Sequence, residues 1–190
     1  MSPSPHADPR PLTGEPLSID LLNTRWVDAG VRHDLLDSTE GLAVWLESES
    51  VRPLLRDVRV VADRRTLDAL LKTRAALAQI VTSLDRPAPE AIEGLNEVLE
   101  HGRIRRLLRP DGGPETTPEA DVAWLPAWLA AENWLTLVAD RPERIRPCAN
   151  HECVLHFYDI SKNGTRRWCS MTACGNRAKA QRHYDRHRRN

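Results

Sequence analysis

The chain has 190 residues, enough for one or two domains with a hydrophobic core, and 41% of those residues are hydrophobic. Lys and Arg together number 27, as do Asp and Glu, so the net charge is zero and a uniformly basic or acidic protein is excluded. No apolar stretch is long enough to span a bilayer, and the N-terminus lacks the apolar region of a signal peptide. We therefore expect a cytoplasmic protein with no membrane partner.

The charges are distributed unevenly along the chain. Residues 144–190 hold eleven Lys and Arg against three acidic residues, a net charge of +8, whereas residues 1–143 hold 16 basic against 24 acidic residues, a net charge of −8. A basic segment on an acidic body is typical of a protein that binds a polyanion. A solvated basic face without a partner is the alternative interpretation.

The N-terminal residues predict an arm followed by a first structured segment. Residues 1–13 contain four prolines and little apolar content, which favours a disordered arm. Residues 16–24 predict a short strand or the beginning of a helix. We expect Asp20 and Asn23 to cap or bridge neighbouring elements, and a role in a polar pocket is the alternative.

Amphipathic patterns predict four helices in a regulatory or ligand-sensing domain of residues 14–143. They cover about residues 38–46, 63–84, 89–101 and 125–139. Arg74 lies on the apolar stripe of the second helix, where we expect a paired or snorkelling side chain, or else a cation that reads a ligand. Gly102 is predicted to end the third helix as its C′ residue.

The expected core faces of two of these helices follow from residues three and four positions apart. Ile92 is predicted to face the core from the third helix. The fourth helix is predicted to bury Trp128, Ala131, Leu135 and Val138.

A β-hairpin is predicted between the last two of these helices. Residues 103–108 alternate basic and apolar side chains, and a turn sequence, Pro-Asp-Gly-Gly, follows at 110–113. We expect the return strand near residues 120–123. The arginines at 103, 105, 106 and 109 either contact phosphate or blunt an exposed strand edge.

All four cysteines lie near the C-terminus, at Cys148, Cys153, Cys169 and Cys174, as two C-x4-C pairs separated by fifteen residues. Two close pairs are the arrangement of a zinc site, and two disulfides are the alternative. Because nothing suggests secretion, we expect metal. Four thiolates fill a tetrahedral shell, so the cysteines predict one structural zinc ion and no catalytic position.

The residues around the cysteines predict a treble-clef-like zinc finger over 144–190. Residues 156–160 and 165–168 are predicted to pair as a β-hairpin, with Asn163-Gly164 in a type I′ turn. Ser170 is predicted to cap a helix that extends to about residue 188. The fold class is therefore mainly α with some β: a helical N-terminal domain with a short hairpin, and a finger of knuckle, hairpin and helix.

The helical periodicity divides the residues of this last helix between two faces. Lys179, Arg182 and Arg186 share the outer stripe and are predicted to contact nucleic acid. Arg177 follows Cys174 by one turn and is predicted to face the metal, where it could donate to a thiolate. Asn176 is predicted to serve the turn beside the metal.

Three residues before this helix are further candidates. Trp168 is predicted to pack over the metal site rather than stack on a base. Arg166 and Arg167 are both candidates for nucleic-acid contact, although they alternate faces, so at most one can share the helix surface.

Two segments resemble known families. The finger resembles the CGNR zinc finger, on residues 144–146, Phe157, Asp159, 161–163, 166–171 and 174–177. Residues 14–24, Gly-Glu-Pro-Leu-Ser-Ile-Asp-Leu-Leu-Asn-Thr, resemble the first segment of proteins described as "putative stress-induced transcription regulators". The resemblance implies DNA binding and transcription regulation in a stress response.

Three functions follow as hypotheses. In the first, the finger holds DNA while the acidic domain senses a small-molecule effector or forms a homodimer. In the second, the finger binds RNA or an acidic protein surface, because one zinc-finger fold serves several partners. The third is an enzyme, but the N-terminal domain has no Cys and no convincing acid–base pair. We therefore expect neither enzymatic activity nor catalytic residues.

Overall fold

The computed structural model describes residues 7–55 and 57–179, and in this part of the chain helices dominate three small antiparallel sheets of two strands each. The mainly helical fold class is therefore confirmed. The helices are α1 (Leu17–Leu22), α2 (Thr39–Leu46), α3 (Arg64–Thr82), α4 (Pro89–Leu99) and α5 (Leu125–Asp140). The strands are β1 (Arg25–Asp28), β2 (Val31–Asp34), β3 (Gly102–Leu108), β4 (Pro114–Ala120), β5 (Ile145–Pro147) and β6 (His156–Tyr158). No helix of the described residues is long and apolar enough to cross a bilayer.

The predicted helices begin where the sequence has capping residues. The Ser38 side chain accepts a hydrogen bond from the Gly41 amide at the start of α2. Asp63 does the same for the Thr66 amide at the start of α3, with an N–O distance of 2.8 Å. Helix α4 begins at Pro89. Proline is favourable in the first turn because the backbone N–H groups there have no acceptor within the helix, so the N–H that proline lacks costs no hydrogen bond.

Helix α1 lies at the centre of the N-terminal domain, and all six of its residues are buried. It packs against α3, α5 and β6. Ser18 fixes it to α5, because both its amide and its hydroxyl donate to Asn133 Oδ1, at 3.0 and 2.8 Å. The sequence predicted either a short strand or the beginning of a helix for residues 16–24. The structure shows that Leu17–Leu22 form a fully buried helix.

The buried Asp20 carboxylate joins four segments of the domain. It accepts hydrogen bonds from Arg10 at 2.7 Å, from Trp45 Nε1 at 3.0 Å and from Ser50 Oγ at 2.7 Å. The bridging role expected for Asp20 is therefore present. Arg10 is itself buried, so residues 7–13 do not form the disordered arm that we expected. Residues 1–6 lie outside the described part.

Arg74 is a buried, paired arginine, as the sequence suggested. It donates to both carboxylate oxygens of Asp34, at 2.6 and 2.8 Å, and to Thr24 Oγ1 at 2.7 Å. These contacts tie α3 to β2 and to Thr24, which lies between α1 and β1. Partial burial of Asp34 acts to raise its pKa, but the hydrogen bonds from Arg74 and Arg25 hold that pKa below its ordinary value.

Several predicted core positions are wrong. Ile92, Leu135 and Val138 are exposed at 42%, 44% and 38% of their surface. Helix α5 instead buries Trp134, together with the expected Trp128. Helix α5 packs against α1, α3 and α4, so its buried face is broader than the predicted stripe and includes Ala127, Ala130 and Leu137.

The β3–β4 hairpin exists, but its return strand is Pro114–Ala120 rather than residues 120–123. Strand β4 contains two prolines, and a two-stranded sheet has only edge strands, which tolerate proline. Arg103 and Arg105 pair with Glu119 across the hairpin. This agrees with the edge-blunting alternative, because exposed cross-strand pairs give those side chains a structural partner.

Gly102 begins β3 and is not the C′ residue of α4 that we predicted. A Cβ at this position would lie 2.6 Å from the Trp128 ring. Glycine is therefore required by the close approach of an indole.

We expect Arg74→Met to lower the free energy of unfolding by about 3 kcal/mol, because it leaves a partly buried carboxylate without its partner. The measurement is urea unfolding followed by tryptophan fluorescence. Arg64→Met is the matched control on the same helix, since Arg64 pairs with Asp68 on the surface and should matter by less than about 0.5 kcal/mol.

The same pair predicts a pH dependence. A depressed pKa at Asp34 contributes stability above the unfolded-state pKa, and that contribution is lost as the pH falls through the folded-state value. The difference between the parent protein and Arg74→Met should therefore shrink below about pH 4. An unchanged difference down to the acid limit would contradict this account.

Candidate metal centre

The first cysteine pair lies in the loop of a hairpin. Strands β5 and β6 pair antiparallel, and the eight residues between them contain Cys148 and Cys153. The Cys148 amide donates to the Leu155 carbonyl at 2.9 Å, which extends the ladder to the first sulfur ligand. The knuckle is thus held at the end of a short rigid ribbon.

This hairpin is not the one that the sequence predicted. Strand β6 pairs with β5 rather than with residues 165–168, and that segment instead reaches the knuckle through the Arg167 carbonyl, which accepts from the Ala149 amide. Gly164 has a φ of +61°, whereas Asn163 is outside the left-handed region, so the type I′ turn is wrong.

A buried carboxylate explains why the predicted arms do not pair. Asp159 accepts hydrogen bonds from the amides of Ser161 and Arg166, at 2.9 and 3.0 Å. Arg144 donates to the carbonyls of Asp159 and Ser161, at 2.9 and 2.7 Å. Side chains therefore satisfy backbone groups that a strand ladder would otherwise use.

The second cysteine pair flanks a capped turn. The Ser170 side chain accepts from the Ala173 amide, so the predicted N-cap is present. A π-helical turn, Met171–Gly175, comes first, and residues 176–179 continue as α-helix. The rest of the predicted helix, with Arg182 and Arg186, lies outside the described residues.

The four cysteine Sγ atoms lie within 4.8 Å of one another, and all four residues are free thiols. Cys169 Sγ is 3.8 Å from Cys153 Sγ and 3.6 Å from Cys174 Sγ. A tetrahedral zinc ion with Zn–S bonds of about 2.3 Å separates its sulfur ligands by about 3.8 Å. A disulfide would require about 2.0 Å. The four residues therefore fit one tetrahedral zinc ion and do not fit disulfides.

Two N–H groups point at the sulfur atoms. The Cys169 amide donates to Cys148 Sγ at 3.4 Å, and Asn150 Nδ2 donates to Cys174 Sγ at 3.6 Å. Such donors stabilise thiolate charge and fix the ligand orientation. Sequence reasoning missed Asn150. Its position two residues after Cys148, in a tight loop, was the available signal, because Asn side chains often bond nearby groups in turns.

The electrostatics of the sulfur cluster call for a cation. A hydrogen bond from Cys169, against opposing burial, lowers the pKa of Cys153 to about 5. The same contact raises the pKa of the Cys169 thiol, and burial raises that of Cys148. Four neighbouring cysteine thiols cannot all ionise to thiolates without a counter-charge, and a divalent cation supplies that charge.

Close packing surrounds the second pair. A Cβ on Gly175 would lie 2.8 Å from Met171 Sδ and 3.4 Å from the Trp168 ring. The Met171 thioether is the end of an exposed, flexible side chain that can shift, and the φ of Gly175 is not in the left-handed region, so the surroundings do not by themselves require glycine here. Trp168 is half-buried beside this turn, and its predicted role as a cover over the metal stays a prediction.

Arg177 and Asn176 are both exposed. Asn176 Nδ2 donates to the Thr172 carbonyl at 3.5 Å, which serves the turn. The inward position predicted for Arg177 is wrong. Its side chain is exposed in the α-helical residues that follow the π-helical turn Met171–Gly175.

Arg166 has structural partners within the chain, and its predicted contact with nucleic acid stays a prediction. Its guanidinium lies 4.2 Å over the Phe157 ring and donates to Glu15 at 2.7 Å and to the Cys169 carbonyl at 2.6 Å. Arg167 is exposed, with its guanidinium 5.2 Å from the Trp168 ring, and Lys179 is exposed as well.

The finger is joined to the N-terminal domain by paired hydrogen bonds on both sides of α1. Asn23 donates to the His156 carbonyl and accepts from the His156 amide, each at 2.9 Å. Glu15 accepts from the Tyr158 amide at 3.0 Å in addition to Arg166. The sequence offered Asn23 as a bridge but gave no signal for Glu15, whose partners are 143 and 151 residues away.

We expect purified protein to contain one zinc ion per chain, measured by elemental analysis. Cys174→Ser should lose the metal and lower the unfolding temperature, because metal binding supplies much of the stability of such a module. Asn150→Ala should weaken zinc affinity by about 10–100-fold in a chelator competition.

Arg177→Ala is the control for the zinc experiment and should retain zinc, since its side chain is exposed. Zinc loss in Arg177→Ala, or full zinc retention in Cys174→Ser, would contradict the geometry described.

We expect Asn23→Ala to uncouple the two domains, because it leaves the buried His156 backbone groups without partners at a cost of about 1–3 kcal/mol. In the parent, zinc release to a chromophoric chelator and tryptophan fluorescence should report one urea transition. In Asn23→Ala, zinc release should come at lower urea. Asn96→Ala, on the exposed side of α4, should leave the transitions coincident.

Comparison with protein families agrees with this architecture. A family model for the CGNR zinc finger matches residues 144–187, and one described as "Putative stress-induced transcription regulator" matches residues 15–141. No curated protein matches the sequence. The resemblance inferred from the sequence is confirmed, and the finger's four cysteines can hold one zinc ion. The chain belongs to the family described as "Putative stress-induced transcription regulator", and it carries a CGNR zinc finger.

Proposed function

We propose that this protein is a DNA-binding transcription regulator of a stress response, in which the zinc finger holds the nucleic-acid backbone. The observation that carries the proposal is a set of exposed cations beside the metal centre. Arg167 and Arg177 border a groove of about 610 Å³ together with His151 and Trp168. Guanidinium groups in such a position match the geometry of phosphate oxygens.

The basic residues of the finger divide into two groups. Arg144, Arg146 and Arg166 donate to backbone carbonyls and hold the fold of the finger. Lys162, Arg167, Arg177 and Lys179 are exposed. Of the neighbouring residues Arg166 and Arg167, Arg167 is therefore the one available to a partner.

The metal in this proposal is structural. Four cysteine sulfurs complete a tetrahedral shell and leave no position for water or substrate, so zinc would stabilise the finger without performing chemistry. We accordingly propose that the protein is not an enzyme. Zinc, when bound, would fix the knuckle against the turn that carries Cys174, and the groove is lined by residues 149–152 of the knuckle, residues 167–168 and residues 177–178 after that turn.

The test is the salt dependence of binding to duplex DNA. Each phosphate contact contributes about −0.9 to the slope of log K against log salt, so four to six contacts predict a slope of about −4 to −5. Arg167→Ala and Arg177→Ala should each flatten the slope by about one unit and retain zinc. Arg106→Ala, an exposed cation on β3, is the control and should leave the slope unchanged.

Other outcomes would identify another function. If the protein does not bind duplex DNA, and Arg167→Ala and Arg177→Ala both weaken its affinity for single-stranded RNA, then RNA rather than DNA is the partner. A chain that retains zinc and binds neither nucleic acid would overturn the proposal in favour of a protein partner.

A further inference from the structure

A pocket of about 580 Å³ lies where the β1–β2 hairpin, the end of α3 and the finger meet. Its volume falls in the range of small-molecule sites, about 300–1,000 Å³. Its walls come from both domains, because Val154 and His156 of the finger face residues of β1, β2 and α3.

The pocket offers a flat aromatic wall within an apolar lining. Trp26 is buried and stacks on His33, with ring centroids 5.0 Å apart and planes 13° from parallel. Ala78, Val81 and Val154 supply aliphatic surface around it. A planar or alicyclic body of modest size would bury apolar area against these side chains.

The lining carries two arginines and two aspartates, so its formal charge is zero, and one of the guanidinium groups offers a contact for an anion. Asp34 is engaged by Arg25 at 2.8 Å and by Arg74. Asp37 is exposed on the wall. Arg32 also lines the pocket, and its exposed side chain makes no hydrogen bond or ion pair with the residues that the structure describes. A guanidinium at an apolar wall can take a carboxylate in bidentate fashion.

The finger side of the pocket adjoins the metal centre. Val154 directly follows Cys153, and the backbone of His156 is held by Asn23. An occupant of the pocket would therefore contact the knuckle as well as the N-terminal domain.

We propose that this pocket binds a small organic carboxylate with an aromatic or alicyclic body, with the ring on Trp26 and the carboxylate at Arg32. Such a ligand contacts both domains at their junction, which makes it an effector of the finger. The inference that the ligand regulates the finger rests on the proposed function, whereas the inference that the pocket binds the ligand does not.

The experiment compares two probes of one shape on the intact, zinc-loaded chain: 2-naphthoate and its neutral analogue 2-naphthamide. Ligand-observed NMR titration should give about tenfold tighter binding for the carboxylate, the gain expected from one charge-assisted contact. Arg32→Gln should bring 2-naphthoate to within about twofold of 2-naphthamide. Arg106→Gln, which removes an exposed cation of β3 outside the pocket, should leave both affinities unchanged.

A second pair of variants locates the site. Thr82 lies on the pocket wall at the end of α3 and is exposed, so Thr82→Trp should fill the pocket and abolish binding of both probes without disturbing the core. Gln79→Trp places the same indole on the same helix outside the pocket and should bind like the parent.

Equal affinity for the two probes, no binding of either, or unchanged binding in Thr82→Trp would each overturn the proposal. The salt dependence of DNA binding is measured without these probes, so failure of either experiment is distinguishable from failure of the other.

Discussion

The finger depends on one electrostatic constraint: four cysteine sulfurs lie within 4.8 Å of one another in a largely buried site. That arrangement is unfavourable for four thiolates alone, and a bound divalent cation makes it favourable. Because the two pairs come from different segments, the cation also closes the loop between them. Few hydrophobic residues are needed in such a module, and Phe157 and Leu155 supply its small core.

The second constraint is the satisfaction of buried polar groups around α1. A six-residue helix has little stability of its own, so its burial requires partners from elsewhere in the chain. Asp20 gathers Arg10, Trp45 and Ser50, while Asn23 takes both backbone groups of His156. Residues 14–24, which resemble the first segment of the transcription-regulator family, are therefore the residues on which both domains assemble.

This shared segment relates the pocket to the finger. The pocket is closed on one side by residues that follow Cys153 and on the other by β1, which follows α1. A change in the position of either domain alters the walls of the pocket. Proteins in which a site lies between two packed units commonly use that placement for regulation, since a ligand then favours one relative position.

The sequence by itself determined the elements whose signals are local. Cysteine spacing located the metal site, and Ser38, Asp63, Pro89 and Ser170 located helix starts, because capping acts within one turn of the chain. Periodicity found α3 and α5, and Arg74 was recognised as a paired arginine.

Only the tertiary structure decided which side chains meet across long sequence separations. The internal use of Arg166 and the close approach of Trp128 to Gly102 each depend on partners distant in sequence. The helical periodicity also gave no sign of the π-helical turn Met171–Gly175. Local patterns constrain backbone conformation, whereas the partners of polar and aromatic side chains are set by how the elements pack.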